Sequence, residues 1–579
     1  MSFLLIAGQH GVAAAQVSGT VTATAGGGPI EGARVTLQAT ATTTTTAVDG
    51  TFTLDATGTD LVVVVAHKGY FNTSVTVTSP ATNADVSLEA VPQADDSDYV
   101  FQSSGTCGVC HGNQQDQFQD TPMARAGHNT WVHDIYDGSG TTGGMGGFVY
   151  TRDSPHATAN PNSECAACHQ PISWIQNPGA PMGDLDNPDA GLNHGVTCEV
   201  CHKIANVDET KPNYPGVIAD AVTFTRPTPG WQVVYGVLGD VDFTDVDGSR
   251  MRASLNPQLT AVMCGTCHQD KNDPDGDGDF EGANGVISEP TFLEWKNSPY
   301  GDPTSSQYQT CVDCHMPSTG ETTACTVLSD DLGRSDTQVR SHKILGTTPA
   351  YLENAVTMSM TTSVDDDGLT VDVSIVNDQT GHSVPTGVTI RNMILLVEVT
   401  MANGASLTHT GTQVLHDLAG VGDPTQGYFG GMPGKLYGKL NHGPDGTGPV
   451  FFTDATGIQF DTRIVALATD NTSYTFALPE FEGNATVRAR LIYRRSWRAL
   501  VDAKGWTTDG HGNPLADVTA PHFGHLMEET TEIVALPGLP EPPEEDGCCS
   551  VGERDPESTF LLFALVCIVI GRRRRRTGG

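Results

Sequence analysis

Five short segments of this chain place two cysteines and a histidine at one fixed spacing, Cys-x-x-Cys-His: residues 107–111, 165–169, 198–202, 264–268 and 311–315. Two thiols at this spacing can form thioether bonds to the vinyl groups of one haem, while the adjacent imidazole binds its iron. The sequence therefore predicts five c-type haems. The predicted attachment residues are Cys107, Cys110, Cys165, Cys168, Cys198, Cys201, Cys264, Cys267, Cys311 and Cys314, and the predicted proximal iron ligands are His111, His169, His202, His268 and His315.

Two other kinds of site use paired cysteines, and the pattern favours neither. A structural zinc site combines two pairs and does not need a histidine directly after each one, and a thioredoxin-like redox pair occurs once, on a βαβ background. Of the remaining cysteines, Cys325 is interpreted as a lone buried thiol, whereas Cys548, Cys549 and Cys567 belong to the C-terminal tail.

The texture of the chain divides it into three folded parts. Residues 97–347 crowd Gly, Pro, Asn and Asp between short helical stretches, and a segment with so little apolar periodicity struggles to bury a core. We predict that the cofactors form its interior. Residues 17–92 and 350–536 alternate apolar and polar positions, which predicts strands. The predicted fold class is multidomain: an N-terminal β-sandwich, a central loop-rich, mainly α pentahaem cytochrome domain, and a C-terminal β-sandwich packed on the haem domain.

The N-terminal segment resembles the carboxypeptidase regulatory-like domain. The resemblance is carried by Gly28-Pro29-Ile30-Glu31-Gly32-Ala33, by Asp49-Gly50 and by Lys68-Gly69-Tyr70. It implies a prealbumin-like fold that serves stability or attachment. No cluster of His and Glu suggests a zinc peptidase, so no catalysis is expected of this part.

The central segment resembles the cytochrome c-554 and c-prime family of multihaem cytochromes, which is related to the hydroxylamine oxidoreductase group. The shared features are Cys314-His315-Met316-Pro317, Arg340-Ser-His342, Gly381-His382-x-x-Pro385-Thr-Gly387 and Gly195-Val196-x-Cys198. The resemblance implies that His342 and His382 are distal iron ligands. The alternative is that both are histidines of surface loops.

Further distal candidates come from positions where relatives place ligands. His156 and His194 are two of them. Relatives follow the first motif with a helix that ends in a ligand histidine, and Met123 stands there in this chain. A thioether can bind haem iron and raises its reduction potential, although a core methionine remains the alternative. His128 and His133 are secondary candidates near the same place.

Tyr300 occupies the corresponding position after the fourth motif. A phenol is a poor partner for a low-spin haem at neutral pH, so this position could leave one iron five-coordinate, or Tyr300 could simply pack. Two axial ligands give a redox-only iron, whereas a vacant position can bind substrate. Tyr300 is therefore a weak candidate for a residue near an open haem, and no catalytic residue is assigned.

An acidic segment between the fourth and fifth motifs has the spacing of a calcium loop. Asp273, Asp275, Asp277 and Asp279 alternate with other residues, and Gly278 provides the sixth position of the loop. The twelfth position is Asn284, where an EF-hand has a bidentate glutamate. The segment predicts a structural calcium site, with a solvated acidic loop as the alternative.

The two ends of the chain predict export and a membrane tether. Residues 1–15 resemble a signal peptide without its basic n-region. A Pro and Glu-rich linker at 537–547 leads to a tail at 548–579, with a short apolar run at 559–571 and Arg572 to Arg576. The tail resembles the MYXO-CTERM type of sorting signal, and an ordinary anchor helix is the alternative. Either interpretation predicts a protein exposed in the periplasm or on the outer cell surface.

The formal net charge is -38. Nucleic acid needs a basic footprint and is excluded as a partner, so redox partner proteins are expected instead. We interpret the chain as an electron carrier. The alternative is a haem-based oxidoreductase of nitrogen or sulfur compounds, for hydroxylamine oxidation or nitrite or tetrathionate reduction, with one open haem and a small-molecule substrate. A purely structural use of the haems, as in an adhesin, is disfavoured.

Overall fold

The computed structural model describes residues 16–185, 195–242, 251–325 and 333–539. The predicted signal peptide, most of the 537–547 linker, the C-terminal tail and the candidate ligand His194 lie outside the described residues. Within the described ranges, no helix has the length and apolar character needed to cross a membrane.

The N-terminal part is a two-sheet sandwich, as predicted. Its strands are β1 (Gln16–Ala23), β2 (Arg34–Leu37), β3 (Thr43–Thr45), β4 (Thr51–Asp55), β5 (Leu61–Ala66), β6 (Thr73–Val77) and β7 (Val86–Leu88). They form one sheet in the order β4-β1-β7 and a second in the order β3-β2-β5-β6. Alternate residues of β4, Phe52 and Leu54, point inward and pack with Val17, Val35 and Val65. Period-two alternation therefore decides which face of each strand is buried.

The central part consists of short helices joined by long loops, which confirms the predicted fold class. Its helices are α1 (Ser104–Gly108), α2 (Gly112–Phe118), α3 (Thr130–Tyr136), α4 (Tyr150–Asp153), α5 (Cys165–His169), α6 (Pro171–Gln176), α7 (Cys198–His202), α8 (Val262–Gly265), α9 (Thr291–Lys296) and α10 (Cys311–His315). Helices this short are unstable alone, so tertiary contacts must hold them.

Three two-stranded sheets in the central part were not expected from the sequence. Their strands are β8 (Ile204–Val207), β9 (Val222–Phe224), β10 (Gln232–Gly236), β11 (Met251–Leu255), β12 (Asp270–Lys271) and β13 (Ile287–Glu289). They pair as β8-β9, β10-β11 and β12-β13. Two of them begin within two residues of a motif histidine, because β8 follows α7 and β12 follows His268. The sheets therefore fix the chain on leaving the third and fourth motifs.

The C-terminal part is a second sandwich. It contains α11 (Pro349–Leu352), β14 (Thr357–Asp365), β15 (Gly368–Val376), β16 (Asn392–Met401), β17 (Gly434–Tyr437), β18 (Lys439–His442), β19 (Gly457–Asp461), β20 (Thr469–Phe476), β21 (Gly483–Arg494), α12 (Arg498–Lys504) and β22 (His525–Leu536). Its sheets have the orders β14-β15-β20 and β17-β16-β21-β22, with β18 paired to β19. Strand β16 is buried on both faces: Leu395 packs into the sandwich, and Ile394 packs outside it with Leu418 and Trp497. This explains its unbroken apolar run.

Both sandwiches contact the central part through charged side chains, a half-buried arginine on one side and a buried lysine on the other. On one side, Arg34 Nη1 donates to the carbonyls of Val237 at 2.7 Å and Leu238 at 2.8 Å. On the other, the buried Lys504 at the end of α12 donates its ammonium to three backbone carbonyls, that of Asp134 in α3 at 2.7 Å and those of Gly144 at 2.6 Å and Phe148 at 2.7 Å in the loop after α3. These charge-assisted bonds fix the helical part between the sandwiches.

Candidate haem-binding centres

Each Cys-x-x-Cys-His motif forms a tight helical turn. Helices α5, α7 and α10 run from the first cysteine to the histidine. In the first and fourth motifs, the His111 and His268 N–H groups donate to the carbonyls of Cys107 and Cys264, each at 2.9 Å. Residues three and four apart share one face of a helix, so both sulfurs and the imidazole are presented on one side. This is the arrangement that one covalently attached haem requires.

In three motif histidines a backbone carbonyl faces Nδ1, the ring nitrogen on the side away from the expected iron, and so fixes the ring. His111 Nδ1 faces the Ala324 carbonyl at 2.7 Å, and His202 Nδ1 faces the Tyr235 carbonyl at 2.6 Å. His315 Nδ1 likewise faces the Leu345 carbonyl. A carbonyl can only accept, so Nδ1 is the protonated nitrogen of each ring and Nε2 keeps its lone pair. A metal-binding histidine is oriented by the same kind of contact.

Two motif histidines have a second imidazole opposite them. The ring centroids of His202 and His342 are 6.5 Å apart with planes at 21°, and those of His315 and His382 are 6.4 Å apart with planes at 9°. A metal–imidazole nitrogen bond is about 2 Å long, and a ring centroid lies about 1 Å behind its nitrogen, so imidazoles on opposite sides of one metal have centroids about 6 Å apart. Both pairs fit an iron between them.

The opposed rings are also in the correct protonation state for a metal. His342 Nδ1 faces the Arg340 carbonyl at 3.1 Å, and His382 Nδ1 faces the Ser383 carbonyl at 3.0 Å, which leaves Nε2 unprotonated in each ring. Burial lowers the pKa of His342 to about 4, and burial also lowers the pKa of His382. Neutral imidazole is the form that binds metal.

Long-range contacts place these two histidines. The His342 N–H donates to Gln117 Oε1 of α2 at 2.8 Å, so the helix after the first motif holds a ring that faces the third. The His382 carbonyl accepts from Asn377 Nδ2 at 2.8 Å, and Ser383 N donates to Glu294 Oε2 of α9 at 3.1 Å. The loop between β15 and β16 of the C-terminal sandwich is thereby attached to the central part. The two ligand assignments themselves stay predictions.

The second motif has a different neighbour. Burial, with a smaller contribution from the nearby His133, lowers the pKa of His169 to about 4. His133, on α3, is 1% exposed, and its Nε2 faces the Gly127 carbonyl at 2.8 Å. Its unprotonated nitrogen is therefore Nδ1. His133 is a secondary ligand candidate from the segment after the first motif, and the structure places it near His169 of the second motif.

The fourth motif differs from the others because a carboxylate lies beside its histidine. His268 Nδ1 and Glu289 Oε1 are 3.7 Å apart. Burial alone lowers the pKa of His268, but the contact with Glu289 leaves it above its usual value. Among the ring contacts of the described residues, no second histidine stacks opposite His268, as one does opposite His202 and His315.

Three other predicted site residues have the following neighbours, and their assignment to haem sites stays a prediction. Met123 packs against a cluster that includes Phe118 of α2, which follows the first motif, and Val200 of the third motif. Tyr300 is buried against Gly381, and Cys314 of the fifth motif raises its pKa after the larger effect of burial, so its side chain belongs to the fifth centre. His156 is half-buried, and its N–H donates to Ser154 Oγ at 3.2 Å.

Contacts between thiols show which motifs are adjacent. Hydrogen-bonding contacts join Cys107 to Cys198, Cys168 to Cys267 and Cys264 to Cys311. An electrostatic contact joins Cys201 to Cys267. The first motif is thus adjacent to the third, and the fourth motif is adjacent to the second, third and fifth. The fourth motif is the junction of the group.

Cys325 is half-buried rather than buried, and it contacts the thiol of Cys110. Its neighbour Ala324 supplies the carbonyl that faces His111. The segment around Cys325 therefore closes over the first motif, although this cysteine belongs to no attachment motif.

The acidic loop brings three of its four predicted ligands together. Carboxylate oxygens of Asp273, Asp275 and Asp277 all lie within 4.8 Å of one another. Asp279 is outside this group, and its Oδ1 accepts from the Glu281 N–H at 3.1 Å. At the twelfth position, Asn284 Nδ2 donates to Asp275 Oδ2 at 2.8 Å. The loop has the convergence of a cation site but only three carboxylates in it.

Comparisons with known proteins support both resemblances. Residues 17–101 match the family model of the CarboxypepD_reg-like domain, and residues 106–203 match that of Cytochrome c554 and c-prime. Among solved structures, a penta-heme cytochrome c552 from Thermochromatium tepidum is similar at 19% identity and a TM-score of 0.48, covering 75% of this chain and 99% of that one. No curated protein matches the sequence. The chain thus carries a segment similar to the CarboxypepD_reg-like domain, followed by a segment similar to Cytochrome c554 and c-prime.

Proposed function

We propose that this protein carries electrons through five covalently bound c-type haems outside the cytoplasm. The observation that carries the proposal is the pair of opposed, neutral imidazoles at the third and fifth motifs. An iron held between His202 and His342, or between His315 and His382, has no free axial position for a substrate. Such a centre can change oxidation state and do little else.

The residues of the chain fit this role in three ways. Ten motif cysteines supply the covalent attachment, and each motif turn presents its sulfurs and imidazole on one side. The Nδ1 contacts fix which nitrogen of His111, His202 and His315 faces an iron. A bound haem would supply reversible one-electron oxidation and reduction of its iron.

Adjacency of the motifs supports transfer within the protein. The contact between Cys107 and Cys198 joins the first and third centres, and the contact between Cys264 and Cys311 joins the fourth and fifth. Because the fourth motif also adjoins the second and third, no centre is isolated from the others. The chain therefore holds its five sites as one connected group.

We further propose that the protein is exported and tethered to a membrane by its C-terminal tail, in the periplasm or on the outer cell surface. The support is the sequence of both ends together with a type of haem attachment that is completed outside the cytoplasm. The charge of -38 favours basic redox proteins as partners. We also propose a structural calcium ion at Asp273, Asp275 and Asp277, because oxygen ligands on alternate residues converge there.

One observation favours a second function. Among the described residues, no ring contact places a second histidine opposite His111, His169 or His268, so these three centres are the candidates for an open iron. A haem-based oxidoreductase of nitrogen or sulfur compounds would need one such centre. The proposal of a pure carrier requires that all five irons be closed.

Axial ligation decides between the two functions. The matured protein is first shown to contain five haems by intact mass and by its alkaline pyridine spectrum. Low-temperature electron paramagnetic resonance of the oxidised protein then reports the spin state of each iron. We expect low-spin signals that do not change with hydroxylamine, nitrite or nitric oxide. A high-spin signal that shifts with these molecules contradicts the pure carrier.

Two variants connect the spectra to the geometry. His342→Ala and His382→Ala each remove one opposed imidazole, so each should convert one low-spin signal to high-spin and leave the others unchanged. His416→Ala is the matched control, because its Nδ1 accepts from the Leu418 N–H in the C-terminal sandwich. If either ligand variant keeps the wild-type spectrum, that imidazole does not bind iron.

A further inference from the structure

In four of the motif histidines, Nδ1 faces one of two kinds of group: a neutral backbone carbonyl or a carboxylate. Neutral backbone carbonyls face Nδ1 of His111, His202 and His315. The partner of His268 is instead the carboxylate of Glu289, at 3.7 Å. The four rings belong to the same kind of motif. The His268 ring differs from the other three because the group beside its Nδ1 carries a negative charge.

The Glu289 carboxylate is positioned by a small hairpin, β12-β13, that directly follows the fourth motif. The chain leaves His268 into β12, reverses through the acidic loop, and returns as β13, where Glu289 pairs in register with Asp270. Thr291 Oγ1 donates to Glu289 Oε1 at 3.2 Å and limits the rotation of the carboxylate. The Glu289 side chain is 13% exposed, whereas the His268 ring is 49% exposed, which leaves an edge of the ring accessible to an iron.

The carboxylate is in its charged form. A carboxylate is ionised at neutral pH when polar neighbours compensate its burial, and Glu289 has the His268 imidazole at 3.7 Å and the Thr291 hydroxyl at 3.2 Å. A negative charge at this distance polarises the Nδ1–H bond more than a neutral carbonyl does, which makes Nε2 a stronger donor to a metal. The negative charge also favours the more positive, ferric state of an iron bound at Nε2.

We propose that Glu289 is a positioning residue that acts through His268 and lowers the reduction potential of the fourth haem relative to the haems whose histidines face carbonyls. This inference rests on the proposed function, because it requires a haem at the fourth motif. No covalent step is involved: one electron enters or leaves the iron, and the carboxylate stabilises the oxidised form. At the junction of the five motifs, a haem of low potential is the least readily reduced. Electrons therefore reside on the haems on either side of it.

The test is a spectroelectrochemical titration of the matured protein and of three variants. Glu289→Gln keeps the size and the oxygen acceptor but removes the charge. Glu289→Asp is the conservative rescue, since it keeps the charge. Asp270→Asn is the matched control: it removes a carboxylate from the facing residue of the same hairpin, which has no ion pair with the imidazole. Burial raises the pKa of Asp270 to about 7, so every titration is run at about pH 8.5, where this carboxyl is ionised.

We expect one haem of Glu289→Gln to become easier to reduce. At a fixed applied potential, its ratio of reduced to oxidised iron should rise about tenfold, which corresponds to about 59 mV for one electron. Glu289→Asp should lie between the wild type and Glu289→Gln, and Asp270→Asn should give a smaller shift. One electron paramagnetic resonance signal of Glu289→Gln should move in parallel, because the donor strength of one axial imidazole has changed.

The outcomes separate this inference from the proposed function. Mass spectrometry of proteolytic peptides first shows whether residues 264–268 carry haem in every variant. Absence of haem there overturns the proposed function. If the haem is present and Glu289→Gln titrates like the wild type, the role of Glu289 is wrong and the carrier stands. Equal shifts in Glu289→Gln and Asp270→Asn also overturn the inference, because they indicate a general effect of charge on the hairpin.

Discussion

The C-terminal sandwich and the central part obtain their interiors in different ways. The sandwich has one continuous core, in which Leu395, Val487 and Leu491 from one sheet meet Val371 and Tyr474 from the other. The central part has several small clusters, and motif cysteines pack into two of them, Cys165 in one and Cys201 in another. The core of the sandwich is formed by side chains alone, whereas two clusters of the central part include cysteines that are predicted to attach haem.

The largest change in structure is expected for protein that is produced without haem attachment. The short helices of residues 97–347 should then lose their fixed packing, because the longest helix in the described part of this segment has seven residues and isolated helices of that length are unstable. The two sandwiches should remain folded. Hydrogen exchange followed by mass spectrometry measures each part separately in haem-free and matured protein. Equal protection of residues 97–347 in the two samples would show that the haems are not its interior.

The contact between the two regions gives the next largest effect. Lys504→Met removes an ammonium that donates to three buried carbonyls and leaves all three without this donor. Each unpaired buried acceptor costs about 1–3 kcal/mol, so we expect a loss of about 4 kcal/mol in the free energy of unfolding.

Denaturant unfolding of the matured protein measures this loss. The loop after α3 should also gain hydrogen exchange, because Asp134, which the ammonium contacts, accepts from Trp506 Nε1 at 2.6 Å in the same interface. The exposed Lys296→Met is the control and should change the free energy of unfolding little. If the two variants are equally stable, the region contact does not depend on Lys504.

A change confined to the sandwich core should leave the haem centres intact. Leu395→Ala removes a side chain that is 0% exposed in the middle of β16, and such truncations cost about 3 kcal/mol. The absorption spectrum and haem content should equal those of the wild type. Leu539→Ala, at a side chain that is 55% exposed, controls for the chemical change. Loss of haem from Leu395→Ala would mean that the two regions fold as one unit.

The same contrast explains how much the sequence could predict. Period-two alternation in β4 and β15 depends on neighbouring residues, so the two sandwiches could be recognised from the chain itself. The motif turns were equally local, since five consecutive residues carry the sulfurs and the imidazole. The strand pairs β8-β9 and β12-β13 were missed because they follow the motifs with too few residues to show any period.

Distal partners could not be predicted from spacing because they depend on tertiary contacts. His342 is held by Gln117, which lies 225 positions earlier in the chain, and it faces the third motif. Met123 lies at the position expected of a ligand for the first motif, and the fold packs it against a cluster that Phe118 and Val200 of two different motif regions share. The partner of His268, Glu289, gave no signal in the sequence, because an acidic loop separates the two strands of its hairpin.

The smallest effect concerns a buried carboxylate of the C-terminal region that contacts no haem motif. Burial raises the pKa of Asp517 to about 6, although Arg494 and the N–H groups of Ser496 and Arg495 oppose the shift. A carboxyl whose pKa is higher in the folded protein than in the unfolded chain binds more protons in the folded state between about pH 4 and 6. Its contribution to stability is complete below pH 4 and is lost as the pH rises through 6.

Asp517→Asn lacks this titration but keeps an oxygen acceptor for Arg495 N at 2.9 Å. The free energy of unfolding of the wild type, minus that of the variant, should therefore fall by about 2 kcal/mol between pH 4 and pH 6. Denaturant unfolding at several pH values measures the difference, and Asp366→Asn in the exposed turn after β14 should show none of this slope. The haem absorption should not change over the same range in either protein. A slope seen in the haem signal instead would mean that the sandwich is coupled electrostatically to the haem centres, and the separation of the two regions would fail.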